Sequence, residues 1–275
     1  MTPRTSLLVL ALAACDRPDA IVICHNANCA EPADPEHDDT IDAMRESLAL
    51  ELDGKPVIDG IEVDTFWRGA DDVCLYAHDL DNDLTPAIEP ANELAAHFAR
   101  PGPITFGDVP FHVFIELKSH VSADKTDVHT PAQLALHAQC AWQLYGVIAG
   151  AAVANDREVV VVFGAFNPDL ERAVLAAQPA SVPVPFTLEA IQGIPEPLDN
   201  QTHSLEDYRG LPITLVEFHA QWILDAQYET MQSLGLDMGV FMFSATAETF
   251  AVIEQYAPKY IVTSEARLMR RWLER

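Results

Sequence analysis

Four strand-like segments in the first half of the chain each end in ionisable side chains. In chain order, these ends carry His25 with Asn26, Glu62 with Asp64, His78 with Asp79, and Glu116 with Lys118. Glu62 and Asp64 are two residues apart, so both carboxylates project from the same face of a strand. Several carboxylates buried together need either protons or a cation to offset their charge. The spacing therefore predicts a cation site at the ends of these strands.

Glu62, Asp64 and Glu116 supply the oxygen ligands that hard divalent cations prefer. We expect Ca2+ or Mg2+ at this group, with water and a substrate phosphate completing the coordination. His25 and His78 flank the acidic pair, and imidazoles can divide proton removal and proton donation between them. The alternative is a solvated rim of ordinary acids and structural histidines. The same pattern at four strand ends favours a catalytic site.

Short apolar strands alternate with helical stretches along the chain. The strands predicted from β-branched and aromatic runs are residues 20–24, 60–66, 73–77, 112–118, 159–164, 182–186, 213–218, 239–243 and 260–263. The predicted helices are residues 40–52, 131–154, 169–177, 221–234 and 247–255. Repeated strand–helix units predict a parallel sheet with crossover helices. The expected fold is α/β, a (β/α)8 TIM barrel with a small antiparallel insertion, residues 73–77, after the second strand.

A doubly wound open sheet is the structural alternative. No glycine-rich phosphate loop follows any strand, which disfavours the nucleotide-binding form of that fold. Residues 183–197 and 199–203 are predicted to form a long loop. Catalytic groups of a barrel lie at the C-terminal strand ends, so Glu217 and His219 are further pocket candidates. Positions on the surface or on helices are expected for His97, His129, His137 and His203.

The overall charge restricts the partners of the protein. The chain has 42 acidic and 16 basic side chains and a formal charge of -26, yet it is 49% hydrophobic, so a sizeable core is expected. Phosphate backbones are held by lysine and arginine, so the excess of acid argues against nucleic-acid binding. The charge also disfavours anionic substrates unless a bound cation reverses the sign locally.

The N-terminus is typical of an export signal. Arg4 precedes the apolar residues 7–14, and this run is too short to span a bilayer core that needs about 20 residues. Residues 12–15 resemble a bacterial lipobox, which predicts a signal peptide over residues 1–14, lipidation of Cys15, a tether over residues 15–19 and a barrel over residues 20–275. A fortuitous cysteine after an ordinary signal is the alternative. The resemblance to bacterial lipoproteins implies that Asp16, directly after the lipidated cysteine, retains the protein at the periplasmic face of the inner membrane.

Four further cysteines would lie in an oxidising compartment if the chain is exported. Three complete pairings are possible for Cys24, Cys29, Cys74 and Cys140. Cys24 and Cys29 are near enough in sequence to pair across a loop. Because Cys24 and Cys74 lie inside predicted strands, buried free thiols are an equally good expectation.

The order of these motifs resembles the glycerophosphodiester phosphodiesterase family of the phosphatidylinositol phospholipase C-like barrels. The resemblance rests on residues 25–27, 38–40, 60–64, 78–79 and 115–118, with residues 241–246 and 260–264 resembling the last two strands. It implies that Glu62, Asp64 and Glu116 bind a divalent metal, that His25 and His78 act as acid and base, and that Lys118 contacts the phosphate. The expected activity is metal-dependent hydrolysis of a small glycerophosphodiester to an alcohol and glycerol phosphate.

Several residues depart from the family pattern. Asn26 replaces an arginine that holds the phosphate in many members, Asp38 stands where a glutamate is usual, and Phe243 replaces a tryptophan. We expect Asn26 to take the phosphate-binding position. These changes leave two alternatives open: a phospholipase D-like or sphingomyelinase D-like lipid phosphodiesterase, and a non-catalytic lipoprotein that retains the barrel for binding. The oligomeric state is not predicted, and the membrane is expected as a partner through the lipid anchor only.

Overall fold

The structure is a computed structural model that describes residues 20–30, 35–78, 85–122, 127–192, 203–242 and 244–275. The predicted signal peptide, Cys15 and the tether lie outside the described residues, as do Asp79 and Phe243. Among the helices that are described, none is both long and apolar enough to cross a membrane.

The strands form a closed parallel barrel with a small extension. In chain order they are β1 (Ile21–Cys24), β2 (Glu51–Leu52), β3 (Lys55–Pro56), β4 (Gly60–Arg68), β5 (Val73–Tyr76), β6 (Thr85–Pro86), β7 (Phe111–Leu117), β8 (Val159–Ala165), β9 (Phe186–Gln192), β10 (Ile213–His219), β11 (Asp237–Met242) and β12 (Tyr260–Thr263). Eight of them follow the parallel order β1-β12-β11-β10-β9-β8-β7-β4, and β4 pairs back to β1. This closure confirms the (β/α)8 barrel and excludes the open sheet.

Helices cover the outside of the barrel. They are α1 (Ile41–Ser47), α2 (Ile88–Phe98), α3 (Pro131–Ala154), α4 (Pro168–Ala176), α5 (Asp225–Leu234), α6 (Ala247–Tyr256) and α7 (Ala266–Leu273), with 3-10 turns at His25–Ala27, Pro35–His37 and Leu205–Tyr208. Local signals set several starts. Thr130 and Gln133 form a capping box at the start of α3, and the Asn167 side chain accepts from the Asp169 N–H at the start of α4.

Two predicted elements were wrong in position. The strand expected at residues 182–186 is β9, which starts only at Phe186, because Pro183 and Pro185 have no N–H to donate to a sheet. The predicted loop therefore contains a barrel strand, and residues 193–202 lie outside the described part of the chain. The helix expected at residues 221–234 begins at Asp225.

Other helix predictions were incomplete. The helix expected at residues 40–52 ends at Ser47, and its last two residues form β2. The helices α2 and α7 were not predicted. His97 and His137 lie on helices as expected, but they are buried, as is His129. Buried histidines are therefore part of this core.

The insertion after the second barrel strand is confirmed. β5 pairs antiparallel with β4, and β6 pairs antiparallel with β5. The disulfide Cys74–Cys140 joins β5 to α3, and a second disulfide, Cys24–Cys29, links the end of β1 to the turn that follows it. The sequence left the pairing of these four cysteines open. The structure has two disulfides, so the alternative of buried free thiols is wrong.

Buried apolar residues form an outer and an inner layer. The large outer cluster fills the space between the helices and the barrel wall. The inner cluster occupies the barrel lumen and contains Ile23, Phe114, Val162, Phe166, Ile191, Leu215, Phe241, Tyr260 and Val262. Because side chains alternate along a strand, the residues two positions beyond these also face the lumen. Polar side chains at these positions therefore lie close together in the lumen, on the C-terminal side of the inner apolar cluster.

Candidate active site

Three carboxylates meet at the C-terminal half of the lumen. Glu62 and Asp64 come from β4 and Glu116 from β7, and the register of these parallel strands pairs Asp64 with Glu116. One ligand oxygen of each lies within 4.8 Å of the others, and all three side chains are buried. The structure thus brings together the residues that the sequence proposed as metal ligands.

This group fits a hard divalent cation. All its donors are carboxylate oxygens, the donor type that Ca2+ and Mg2+ prefer. Asp64 is 0% exposed, and its Oδ1 atom has no hydrogen-bond partner among the described residues. A buried carboxylate oxygen without a partner is costly unless a cation or a proton approaches it.

Lys118 lies against two of these carboxylates. Its Nζ atom is 2.7 Å from Asp64 Oδ2 and 2.8 Å from Glu116 Oε1, and the lysine is itself buried. Burial alone would lower the pKa of Lys118, but the charges of Asp64, Glu116 and Glu62 outweigh it and raise this pKa above its usual value. Lys118 is therefore a permanent positive charge beside the carboxylate group.

One lysine does not neutralise the carboxylates. Burial, followed by the charges of Asp64 and Glu116, raises the pKa of Glu62 well above its usual range. Burial also raises the pKa of Glu116, although Lys118 opposes that shift. Both shifts mean that the carboxylates bind protons more readily than in water, so a divalent cation would be bound in competition with protons.

His25 lies beside the carboxylates at the end of β1. Its Nε2 atom is 3.9 Å from Glu62 Oε2, its Nδ1 atom is 3.2 Å from the Ser264 hydroxyl, and its ring lies nearly parallel to that of Phe241 at 6.4 Å. Burial is the main cause that lowers the pKa of His25, to about 3. Burial therefore keeps the imidazole uncharged at neutral pH.

The turn after His25 is held by a second set of polar contacts. Asn26 has a positive φ of 47°, a left-handed conformation that asparagine tolerates, and its N–H donates to Glu62 Oε2 at 3.1 Å. Its side chain donates to Asp38 at 3.1 Å, and Asn28 donates to the same carboxylate at 2.8 Å. Asp39 is 1% exposed and accepts from the Asp64 N–H at 3.4 Å.

His78 follows the inserted strand β5 and reaches the same site. The N–H of its neighbour Ala77 donates to the Asp64 carbonyl at 3.3 Å, and His78 lies within electrostatic range of His25 and Glu116. His219 lies at the end of β10, stacked on Trp222 at 4.0 Å and edge-on to Phe241 at 4.9 Å. Since the Phe241 ring also lies against His25, His219 is near the candidate site, on the side of the barrel where the sequence suggested it.

Glu217 and Glu189 add two more carboxylates to the lumen. They are 2% and 1% exposed, and burial raises the pKa of both well above the usual range. The sequence named Glu217 as a candidate but missed Glu189, since β9 was placed four residues too early. The sequence signal for Glu189 is the period-2 pattern that follows Pro185. Glu189 and Ile191 share one face of the strand, and Leu188, Ala190 and Gln192 share the other.

The arrangement can bind a divalent cation and a phosphate side by side. A cation at Glu62, Asp64 and Glu116, together with Lys118, gives positive charge at one point of an otherwise acidic protein. His25 lies beside this group, and His78 is within electrostatic range of it. Asn26 lies at the same edge, although its side chain is committed to Asp38.

The comparisons with known proteins agree with this fold. The sequence matches no family model and no curated protein. The structure is similar to a glycerophosphodiester phosphodiesterase from Parabacteroides distasonis, with TM-score 0.60, 16% identity, and coverage of 94% of this chain and 98% of that one. A glycerophosphodiester phosphodiesterase from Thermotoga maritima aligns with TM-score 0.53, 14% identity, and coverage of 92% and 98%.

A third solved structure carries a ligand. It is a phosphodiesterase from Oleispira antarctica in complex with the product sn-glycerol-3-phosphate, with TM-score 0.56, 11% identity, and coverage of 93% of this chain and 97% of that one. At these identities the likeness shows the fold. The chain has the barrel fold of the glycerophosphodiester phosphodiesterases over nearly its whole described length, and the resemblance noted in the sequence is confirmed at that level.

Proposed function

We propose that this protein is a divalent-metal-dependent phosphodiesterase that hydrolyses glycerophosphodiesters to an alcohol and glycerol phosphate. The observation that carries the proposal is the buried group of Glu62, Asp64 and Glu116 at the C-terminal end of a barrel, with ligand oxygens within 4.8 Å and Lys118 against two of them. Catalytic residues of such barrels come from these strand ends.

The proposed metal residues are Glu62, Asp64 and Glu116. When bound there, Ca2+ or Mg2+ supplies Lewis-acid stabilisation of the negative charge that develops on phosphoryl oxygens. This would also reverse the local sign of an acidic pocket and so allow an anionic substrate to enter.

Lys118 and the two histidines have separate roles in the proposal. The Lys118 ammonium attracts a non-bridging phosphate oxygen, because it is charged at every physiological pH and lies beside the carboxylates. His25 and His78 divide the proton transfers: one removes the proton of the attacking water or substrate hydroxyl, and the other protonates the leaving alkoxide. The Ser264 hydroxyl and the Phe241 ring fix the orientation of the His25 imidazole.

The neighbours of the fold support the proposed substrate class. Two of them are glycerophosphodiester phosphodiesterases, and the Oleispira antarctica enzyme holds sn-glycerol-3-phosphate as its product. The position of Ala20, together with the proposed anchor at Cys15, supports a small soluble diester over intact lipid. Ala20 precedes β1 and therefore lies at the barrel end opposite the strand ends that carry the site.

The cellular location belongs to the same proposal. Cys15 is lipidated after removal of residues 1–14, and the barrel is held at the periplasmic face of the inner membrane with its site facing away from the bilayer. The supporting feature is the lipobox-like sequence at residues 12–15. Membrane association of the wild-type protein, and its release as a soluble protein by Cys15→Ser, would test it. Equal partitioning of both proteins would contradict it.

The activity is tested with glycerophosphocholine and a chromogenic phosphodiester. The purified protein is stripped with a chelator and assayed with Ca2+, Mg2+ or no metal, alongside Glu62→Gln, His25→Asn and the matched surface variant Glu229→Gln. We expect hydrolysis to need a divalent cation and to fall at least about 100-fold in the two site variants, with Glu229→Gln unchanged. Metal-independent turnover, or full activity in Glu62→Gln, would refute the proposal. Faster turnover of micellar lipid than of soluble diester would instead support the lipid phosphodiesterase alternative.

A further inference from the structure

The turn that carries His25 and Asn26 lies inside a small covalent loop. The Cys24–Cys29 disulfide joins the last residue of β1 to a residue five positions later, with a Cα–Cα distance of 5.5 Å, and both cysteines are 0% exposed. His25 and Asn26 are buried within this loop. Two residues of the candidate site therefore belong to a ring that a covalent bond closes.

The backbone of this loop has a conformation that its sequence does not favour. Asn26 and Ala27 have φ values of 47° and 52°, so two consecutive residues with side chains lie in the left-handed region. Asparagine tolerates this region, but in alanine the Cβ atom comes too close to the following carbonyl oxygen. Such conformations persist only where the surrounding structure holds them, and they are concentrated at functional sites.

The turn is held on its outer side. Cys24 and Cys29 belong to the apolar cluster between the helices and the barrel wall, whereas Ile23 belongs to the cluster of the lumen. The Ser47 hydroxyl of α1 accepts from the Cys29 N–H and donates to the Ala27 carbonyl, both at 3.0 Å. The disulfide and Ser47 thus fix the side of the turn that faces away from the lumen.

The inner side of the same turn contacts a proposed metal ligand. The Asn26 N–H donates to Glu62 Oε2 at 3.1 Å, and His25 Nε2 lies 3.9 Å from the same oxygen. If the turn relaxed to negative φ values, its peptide groups would point elsewhere. A hydrogen bond to a carboxylate orients it and favours its ionised form, and loss of such a bond to a metal ligand typically costs about 10- to 100-fold in metal affinity.

The size of the loop argues against a role mainly in overall stability. The constraint that a disulfide places on the unfolded chain grows with the number of residues that it encloses. The sequence separation is 5 for Cys24–Cys29 and 66 for Cys74–Cys140. The shorter disulfide is therefore expected to stabilise the fold less, although it is the one that encloses residues of the candidate site.

We propose that the Cys24–Cys29 disulfide positions the candidate active site. It holds the left-handed turn so that the Asn26 N–H stays on Glu62 and the His25 imidazole stays beside this carboxylate. Cys24 and Cys29 are positioning residues, because they act through the turn. The inference rests on the proposed function, which supplies the cation and the roles of Glu62 and His25. It implies that full activity needs a compartment in which disulfides form.

The test compares the wild type with two variants that each lack one disulfide. Cys24→Ala combined with Cys29→Ala opens the short loop, and Cys74→Ala combined with Cys140→Ala is the matched control. Electron paramagnetic resonance of free Mn2+ measures metal affinity at high ionic strength, which suppresses loose binding to the acidic surface. Thermal denaturation in chelator measures stability. We expect the Kd for Mn2+ to rise about 10- to 100-fold in the first variant and to stay unchanged in the control, which should show the larger decrease in Tm.

A third variant separates positioning from packing. Ala27→Gly, added to Cys24→Ala and Cys29→Ala, removes the Cβ atom that opposes the left-handed conformation. The turn should then form without the disulfide, and we expect part of the Mn2+ affinity to return. Because Ala27 is 0% exposed, loss of its methyl group would weaken packing. A disulfide that only fills space would therefore not be replaced by this glycine.

Unchanged Mn2+ affinity in the variant without Cys24 and Cys29 would overturn the inference, as would an equal loss of affinity in both disulfide variants. Failure of the first variant to fold would assign the disulfide to the whole fold and overturn the inference too, and so would the absence of any recovery with Ala27→Gly. The proposed function fails in a different way, through wild-type hydrolysis that needs no divalent cation. Metal-dependent hydrolysis by the wild type, with full metal affinity in the variant, would remove the positioning role alone.

Discussion

Asp59 and Asp64 lie five residues apart at opposite ends of the barrel and differ in how their buried carboxylates are used. Asp59 is 2% exposed, and its oxygens accept from the Val22 N–H at 3.1 Å, the Phe106 N–H at 3.0 Å and the Arg270 guanidinium. Asp64 is 0% exposed, yet its Oδ1 atom has no hydrogen-bond partner within the described structure.

The comparison separates a structural acid from a proposed metal ligand. Both aspartates are equally buried, so burial does not distinguish them. At the N-terminal face the protein supplies every partner that Asp59 needs, and the group holds β1, α7 and the segment before β7 together. At the C-terminal face the partners are incomplete, which is expected where a ligand is bound.

Breaking the satisfied pair should have the largest effect. Arg270→Leu leaves the Asp59 carboxylate buried without its counter-charge, and loss of one partner of such a pair costs about 3–5 kcal/mol of unfolding free energy. Urea denaturation measures this loss. Arg271→Leu is the matched control, because Arg271 is exposed on the same helix and should change stability by about 0.5 kcal/mol or less. Equal stability of the two variants would show that Asp59 is not the structural acid described.

Removing the incompletely paired acid should affect activity and leave stability unharmed. Asp64→Asn keeps the shape of the side chain and removes one charge from a group in which like charges repel. Lys118 loses Asp64 as a charged partner but keeps Glu116 at 2.8 Å. We expect kcat/KM for the diester to fall at least about 100-fold. Loss of a residue that only hydrogen-bonds to a metal ligand costs about 10- to 100-fold. Urea denaturation in chelator should show a free energy of unfolding no lower than that of the wild type. If Asp64→Asn lost as much stability as Arg270→Leu, Asp64 would be a structural acid like Asp59.

Filling the space beside Glu189 should cost an intermediate amount. Gly164→Ala places a methyl group where the Glu189 carboxylate lies, and such overpacking costs about 1–3 kcal/mol. Adding Glu189→Ala to this variant should recover part of the loss, which a double-mutant cycle measures. Gly146→Ala is the control, since nothing lies near its Cβ position on α3 and alanine favours a helix. If Gly164→Ala were as harmless as Gly146→Ala, the lumen would be wider than described.

The smallest expected effect is a dependence of metal stabilisation on pH. Burial raises the pKa values of Glu62, Glu189 and Glu217 above those of the unfolded chain. Their contribution to stability is therefore complete below the unfolded pKa and is lost as the pH rises through the folded pKa. A divalent cation replaces the lost protons, so its effect on Tm should be larger at pH 8 than at pH 5, by about 2–4 °C for each kcal/mol regained. An equal Tm increase at both values would argue that the cation binds elsewhere.

The sequence predicted the barrel and the compact carboxylate group because both depend on local patterns. Glu62 and Asp64 share a strand face by their spacing, and strand ends of a parallel barrel converge by topology. The partners of Asp59 could not be predicted in the same way, since Arg270 lies 211 residues away on a helix that was not recognised. Pairing of Cys74 with Cys140 likewise depends on how the inserted β5 packs on α3.

Glu189 was missed for a different reason. The two prolines before β9 shifted the predicted strand, so the alternation that places Glu189 inside the lumen was assigned to a loop. The sequence also could not show that Gly164 accommodates the Glu189 side chain, because Gly164 lies next to it only through the pairing of β8 with β9.

The most direct test of the distinction between Asp59 and Asp64 is a crystal structure grown with Mn2+ and measured for anomalous scattering. We predict a strong anomalous peak within coordination distance of carboxylate oxygens of Glu62, Asp64 and Glu116, with no peak at Asp59. A structure in which Mn2+ is present in the crystal but Lys118 still bridges Asp64 and Glu116, with no peak between these residues, would contradict the account.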